Sequence, residues 1–136
     1  MKKIFTLLIL SFLSLHALEL EWTGSYREAL SLAKQENKSV MVLVTSESCG
    51  WCRRLERVTL KDADVIKRLN RDYILFQATR GEGTYPESFR VGAVPASLFL
   101  KADGSLIINK VIGFWSAEDY LSYLDDVDYK LGKKQY

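Results

Sequence analysis

Histidine is nearly missing: the only one in 136 residues is His16, inside an apolar N-terminal stretch. Cysteine is as scarce, with Cys49 and Cys52 the only two. With residues 1–17 set aside, one cysteine pair and no histidine cannot build the usual structural zinc sites, which take four Cys or His ligands. Arg53 stands where haem attachment through C-x-x-C-H needs a histidine, so that chemistry is excluded too. No block of Lys and Arg interleaved with aromatics suggests nucleic acid. The apolar run Ile4–Leu15 is 12 residues, short of the roughly 20 that a membrane span needs. There is no internal repeat and no linker, so one α/β domain accounts for the chain.

The first 17 residues read as a secretory signal peptide: Lys2-Lys3, the apolar run, then Ala17 as a cleavage residue. Residues 18–136 then form the domain, and the protein is expected to be exported, without stable membrane insertion once the signal is removed. The alternative is a retained N-terminal anchor. No cysteine lies near the boundary, which argues against a lipoprotein anchor. Removal takes two of the 19 basic residues and no acid, leaving 17 against 17. A neutral mature chain again opposes nucleic-acid binding.

What is present is a regular alternation of elements. Glu19–Trp22 suits a short lead-in strand. Thr23 or Ser25 can cap a helix to about Glu36, with Tyr26, Ala29, Leu30 and Ala33 at helical spacing. Residues 40–44 are apolar and β-branched, as in a strand covered on both faces. A helix to about Thr59 follows the cysteines, and Asp62 can cap another that buries Val65, Ile66 and Leu69. Residues 73–78 read as a second buried strand, 80–85 as a loop and 86–91 as a helical turn. Residues 93–100, with Pro95 at the entry where a lost N–H matters least, and 106–112 read as a hairpin around the Asp103-Gly104 turn signal. Ser116 can cap a last amphipathic helix with Tyr120, Leu124 and Val127 inward. Strands alternating with helices imply a parallel core, and the hairpin makes the sheet mixed.

The two cysteines sit where a strand ends and a helix begins. In an exported chain they can pair, but so local a bridge closes a very small loop and adds little stability. Reactivity explains them better than stapling, although an inert structural pair is the alternative. Cys49 falls at the helix N-terminus, where unpaired N–H groups and the dipole favour an anion and lower a thiol pKa. It is the expected nucleophile, and Cys52, one turn in, the expected resolving thiol. With no histidine between them, the site is expected to be moderately reducing. Glu56 follows Cys52 by four residues on neighbouring parts of one helix face, so a desolvated Glu56 can exchange protons with Cys52. The alternative for Glu56 is a solvated carboxylate among Arg53, Arg54 and Arg57.

The element order resembles the thioredoxin fold over roughly residues 22–131, with Cys49-x-x-Cys52 at a strand end, Val94-Pro95 before the hairpin and Gly113 after it. Glu56 and Thr59 after Cys52, and Gly113 to Glu118 before the last helix, are similar to the C-terminal periplasmic domain of DsbD-type thiol:disulfide interchange proteins. The resemblance implies a central mixed sheet flanked by helices, a thiol:disulfide oxidoreductase without organic cofactor or metal, and a periplasmic location. It also implies protein thiols and disulfides as partners, with a membrane thiol transporter as electron donor. It makes Pro95 cis beside the cysteines and lets the Val94 backbone pair with an extended partner strand. Trp51 is expected to be exposed and to contact partners, the alternative being a simple helix-start aromatic. Phe114 and Trp115 are expected to complete an apolar rim, the alternative being core packing. In one respect the sequence departs from the family: Leu43 occupies the strand position, six residues before the first cysteine, where thioredoxins place a buried Asp. The rivals are a dedicated reductase of apocytochrome c or another single substrate, and a thioredoxin-like binding module with structural cysteines.

Overall fold

The computed structural model describes residues 18–134; the expected signal peptide lies outside them. Ser25 caps the first helix, α1 (Tyr26–Glu36), its hydroxyl accepting from the Glu28 N–H at 3.1 Å. Asn37 ends α1 with φ 53°, a left-handed conformation that Asn tolerates well. Then come β1 (Ser39–Thr45), α2 (Gly50–Arg57), α3 (Ala63–Asp72), β2 (Tyr73–Thr79), β3 (Ala96–Leu100), β4 (Val111–Ile112) and α4 (Ala117–Lys130). Asp62 caps α3 and Ser116 caps α4, each at a position the sequence marked.

The sheet order is β2-β1-β3-β4, with β1 parallel to β2 and antiparallel to β3, and β3 antiparallel to β4. All seven residues of β1 are buried, as its unbroken apolar run requires of a central strand. Alternate residues feed two cores. Met41 and Leu43 join Leu55, Leu69, Phe99, Tyr120 and Leu124 on the side of α2, α3 and α4. Val40, Val42 and Val44 join Ala29, Ala33, Ile74 and Leu98 against α1. Edge-to-face aromatic pairs, Tyr73 on Phe99 (5.6 Å) and Phe99 on Tyr120 (6.2 Å), extend across the first core.

Five boundaries differ from the sequence expectation. The strand expected from Ala93 starts at Ala96, after the cis Val94–Pro95 bond, since Pro95 has no N–H for the ladder. The lead-in strand is reduced to a single bridge of Trp22 to Leu75. The helix after the cysteines stops at Arg57, and Thr59–Lys61 tightens into one 3-10 turn. The helical turn expected over 86–91 contracts to Glu87–Phe89. The return strand expected over 106–112 breaks in two. Leu106 bridges Leu100 and Val111 pairs with Ser97, so the pair sum moves from 206 to 208. Two extra residues on the outer strand form a bulge, which interrupts the ladder and turns the chain. No helix among the described residues is long and apolar enough to cross a membrane.

Candidate active site

The chemistry sits where β1 hands over to α2. Cys49 is the N-cap of α2, in extended conformation, and Cys52 lies inside the first turn. Their sulfurs are joined in a disulfide across a Cα–Cα distance of 5.2 Å. The two thiols are not equivalent. Cys49 is half-buried while Cys52 is 2% exposed, so a partner molecule reaches Cys49 first. The Cys52 N–H donates to Cys49 Sγ at 3.0 Å, the same bond that would stabilise a thiolate there. The first turn of α2 holds no acidic side chain to oppose that charge, and Arg54 and Arg57 stand in its last turn.

The loop before β3 closes the site from the other side. The Val94–Pro95 bond is cis and Pro95 is buried. The Val94 carbonyl oxygen lies 3.7 Å from Cys49 Sγ. Gly113 donates its N–H to the Pro95 carbonyl at 2.8 Å, with φ 96°, a conformation open to glycine and strained for other residues. That bond brings Phe114 beside the cysteines. A hollow of about 310 Å³ is lined by Trp51, Val94, Pro95, Gly113 and Phe114. The Trp51 and Phe114 ring centroids are 5.9 Å apart, and Trp51 remains 59% exposed.

Trp115 goes elsewhere. Its indole N–H donates to the Ile112 carbonyl at 3.0 Å and its ring packs edge-on against Tyr123. It lines a separate hollow of about 850 Å³ with Ile107, Ile108 and Tyr129, which shares no residue with the one beside Pro95. The backbone of Trp115 is nonetheless tied to the site, because the buried Thr59 hydroxyl donates to its carbonyl.

Glu56 is half-buried, and its Oε1 accepts from Gln77 Nε2 of β2 at 2.6 Å. The same Gln77 amide lies 3.5 Å from the Thr45 hydroxyl at the end of β1. Leu43 pairs in register with Gln77 on one side and Ser97 on the other. Leu43 is 0% exposed, so the position of the family's aspartate is filled by apolar core. Beside it, the only buried side-chain-to-side-chain hydrogen bond among the described residues joins Tyr120 to Ser97 at 2.8 Å. Burial pushes the Tyr120 phenol well above the usual tyrosine range, a shift the Ser97 hydrogen bond offsets in part.

Two site residues were missed from the sequence. Gln77 had no signal beyond its place in a strand. Arg54 had one: it follows Trp51 by three residues, so both share a helix face. Its guanidinium carbon lies 5.6 Å from the Trp51 ring centroid and 5.1 Å from that of Phe114.

The thioredoxin-like domain family model matches residues 26–128. The chain is 31% identical over 102 residues to the thiol:disulfide interchange protein DsbD of Ralstonia nicotianae, a match covering 71% of this chain and 17% of that protein. It therefore spans about one-sixth of that relative. The solution structure of a thioredoxin from Thermus thermophilus is similar, with TM-score 0.70 and 28% identity, covering 84% of this chain and 91% of that one. The oxidised C-terminal domain of Neisseria meningitidis DsbD shares the fold, with TM-score 0.57 and 19% identity over 71% of this chain and 86% of that one. The chain belongs to the thioredoxin-like domain family, and its Cys49–Cys52 pair stands at the head of α2.

Proposed function

We propose that the chain is exported and reduces or exchanges disulfides of partner proteins through Cys49-Gly50-Trp51-Cys52. The observation that carries this reading is the asymmetry of the pair: Cys49 is reachable at the helix N-cap, Cys52 is buried, and Val94-Pro95 stands alongside. In the reduced state the Cys49 thiolate attacks one sulfur of a partner disulfide, and the other partner sulfur leaves as a thiolate that takes up a proton. Cys52, losing its proton, then attacks Cys49 Sγ and releases the second partner thiol. The partner gains two electrons and two protons, and the Cys49–Cys52 disulfide forms. A dithiol donor reverses the exchange at this pair to restore the reduced state. The electrons stay on sulfur throughout, so neither organic cofactor nor metal is required.

Glu56 serves as the proton-exchanging group for Cys52, one helical turn away, held by the Gln77 amide. Trp51, Val94, Pro95 and Phe114 form the surface against which the partner chain lies, and Trp115 supports it through its backbone tie to Thr59. The similarity to DsbD, together with the signal-like residues 1–17, supports a periplasmic location and a membrane thiol transporter as donor. The test is a trap. In Cys52→Ser the mixed disulfide at Cys49 cannot be resolved, so partner proteins stay covalently attached and are released by dithiothreitol. Absence of any dithiothreitol-sensitive adduct on Cys52→Ser would reject the reading.

A further inference from the structure

The surface beside the disulfide is apolar at its centre and cationic at its margin. Arg54 is exposed and lies against the rings of both Trp51 and Phe114, at 5.6 and 5.1 Å from their centroids. Stacking of this kind fixes a guanidinium in one orientation and leaves its N–H edges facing outward. Arg54 makes no ion pair with any carboxylate among the described residues. The one acid of α2, Glu56, is engaged by Gln77 instead. Within α2, Arg53, Arg54 and Arg57 face one acid, Glu56, an excess of 3 − 1 = 2 positive charges. Two further cations brace the segment leading into Val94: Arg80 donates to the Gly92 carbonyl at 3.3 Å and Lys110 to the Arg90 carbonyl at 2.8 Å.

We propose that Trp51, Phe114 and Arg54 form a selectivity site for partner proteins whose reacting cysteine is flanked by an apolar residue and a carboxylate. The apolar side chain enters the hollow lined by Trp51, Val94, Pro95, Gly113 and Phe114. The carboxylate reaches the guanidinium edge of Arg54, which is already ordered by its two rings and so loses little freedom on binding. This deepens the proposed exchange reaction and rests on it.

The experiment uses disulfide-linked peptides whose cysteine is flanked by leucine and glutamate, by leucine and lysine, or by serine and glutamate. Each kcat/KM is divided by the same variant's value for the uncharged reference, bis(2-hydroxyethyl) disulfide. The wild-type protein is expected to favour the leucine–glutamate peptide over the leucine–lysine one by about tenfold at low salt, the scale of one favourable charge pair at an interface. High salt should narrow the ratio. Arg54→Gln should bring the ratio close to one, and Arg54→Glu should invert it. Phe114→Ala should lower the preference for leucine over serine. A wild-type ratio of one, or one that Arg54→Gln leaves unchanged, overturns the proposal. Failure to exchange with the uncharged reference disulfide overturns instead the exchange reaction beneath it.

Discussion

The Thr59 hydroxyl donates to the Trp115 carbonyl, tying the 3-10 turn that follows α2 to the segment that delivers Phe114. The two residues are 56 positions apart, and Thr59 is fully buried. Thr59→Val keeps the shape and leaves that carbonyl without its donor, at a cost of about 1–3 kcal/mol. Urea unfolding should register the loss, and Thr59→Ser should recover most of it. Equal stability of Thr59→Val and wild type would mean that the tie carries nothing.

Two buried tyrosines should respond oppositely to loss of their hydroxyls. Tyr120 is bonded to Ser97, so Tyr120→Phe orphans a buried hydroxyl and costs about 1–3 kcal/mol. The Tyr73 oxygen is buried with no hydrogen-bond partner, so Tyr73→Phe should be neutral or stabilising by up to about 1 kcal/mol. Both phenols are pushed far above the usual range, chiefly by burial. Because the folded values lie above the unfolded one of about 10, stability is intact below pH ~10 and falls as pH rises past it. Tyr73→Phe should therefore move the alkaline unfolding midpoint upward. A downward shift would contradict this assignment.

Leu43 accounts for the missing carboxylate. Placing Asp at this fully buried position raises the folded-state pKa above the unfolded value of about 3.9. The variant should hold its stability below pH ~4 and lose it as pH rises through the raised value, by at least about 3 kcal/mol at neutral pH. Leu43→Asn, which does not titrate, is the control. A Leu43→Asp stability that ran parallel to that of Leu43→Asn across pH would show the carboxylate to be solvated.

Glu56 and Cys52 should be coupled. A carboxylate one turn from a buried thiol disfavours the thiolate, so Glu56→Gln should ease ionisation of Cys52. Thiolate ultraviolet absorbance in a Cys49→Ser background reads it directly. Identical titration curves would remove Glu56 from the proton path.

Much of this was legible because it is local. Ser25, Asp62 and Ser116 announce helix starts through side-chain capping, which needs no knowledge of the rest of the chain. The run Val40–Val44 states its own burial, and the cysteine spacing states the chemistry. What the sequence could not express was tertiary. The bulge between Leu106 and Val111 is a register shift between strands, and the sequence Leu106-Ile107-Ile108-Asn109-Lys110-Val111-Ile112 does not state how it pairs with β3. Trp115 was grouped with Phe114 by adjacency, yet its ring packs on Tyr123 of α4. Gln77 meets Glu56 only after β2 folds beside β1. Arg54 stood in view three residues after Trp51, and its role emerges only when Phe114 arrives from a distant loop.

The exchange reaction depends on the inequality of the two thiols, and alkylation of the reduced protein measures it most directly. With iodoacetamide at mildly acidic pH, Cys49 should be labelled much faster than Cys52, with a rate profile whose midpoint falls below the ordinary thiol value of about 8.5. Equal, slow labelling of both cysteines, with a midpoint at or above that value, would contradict it.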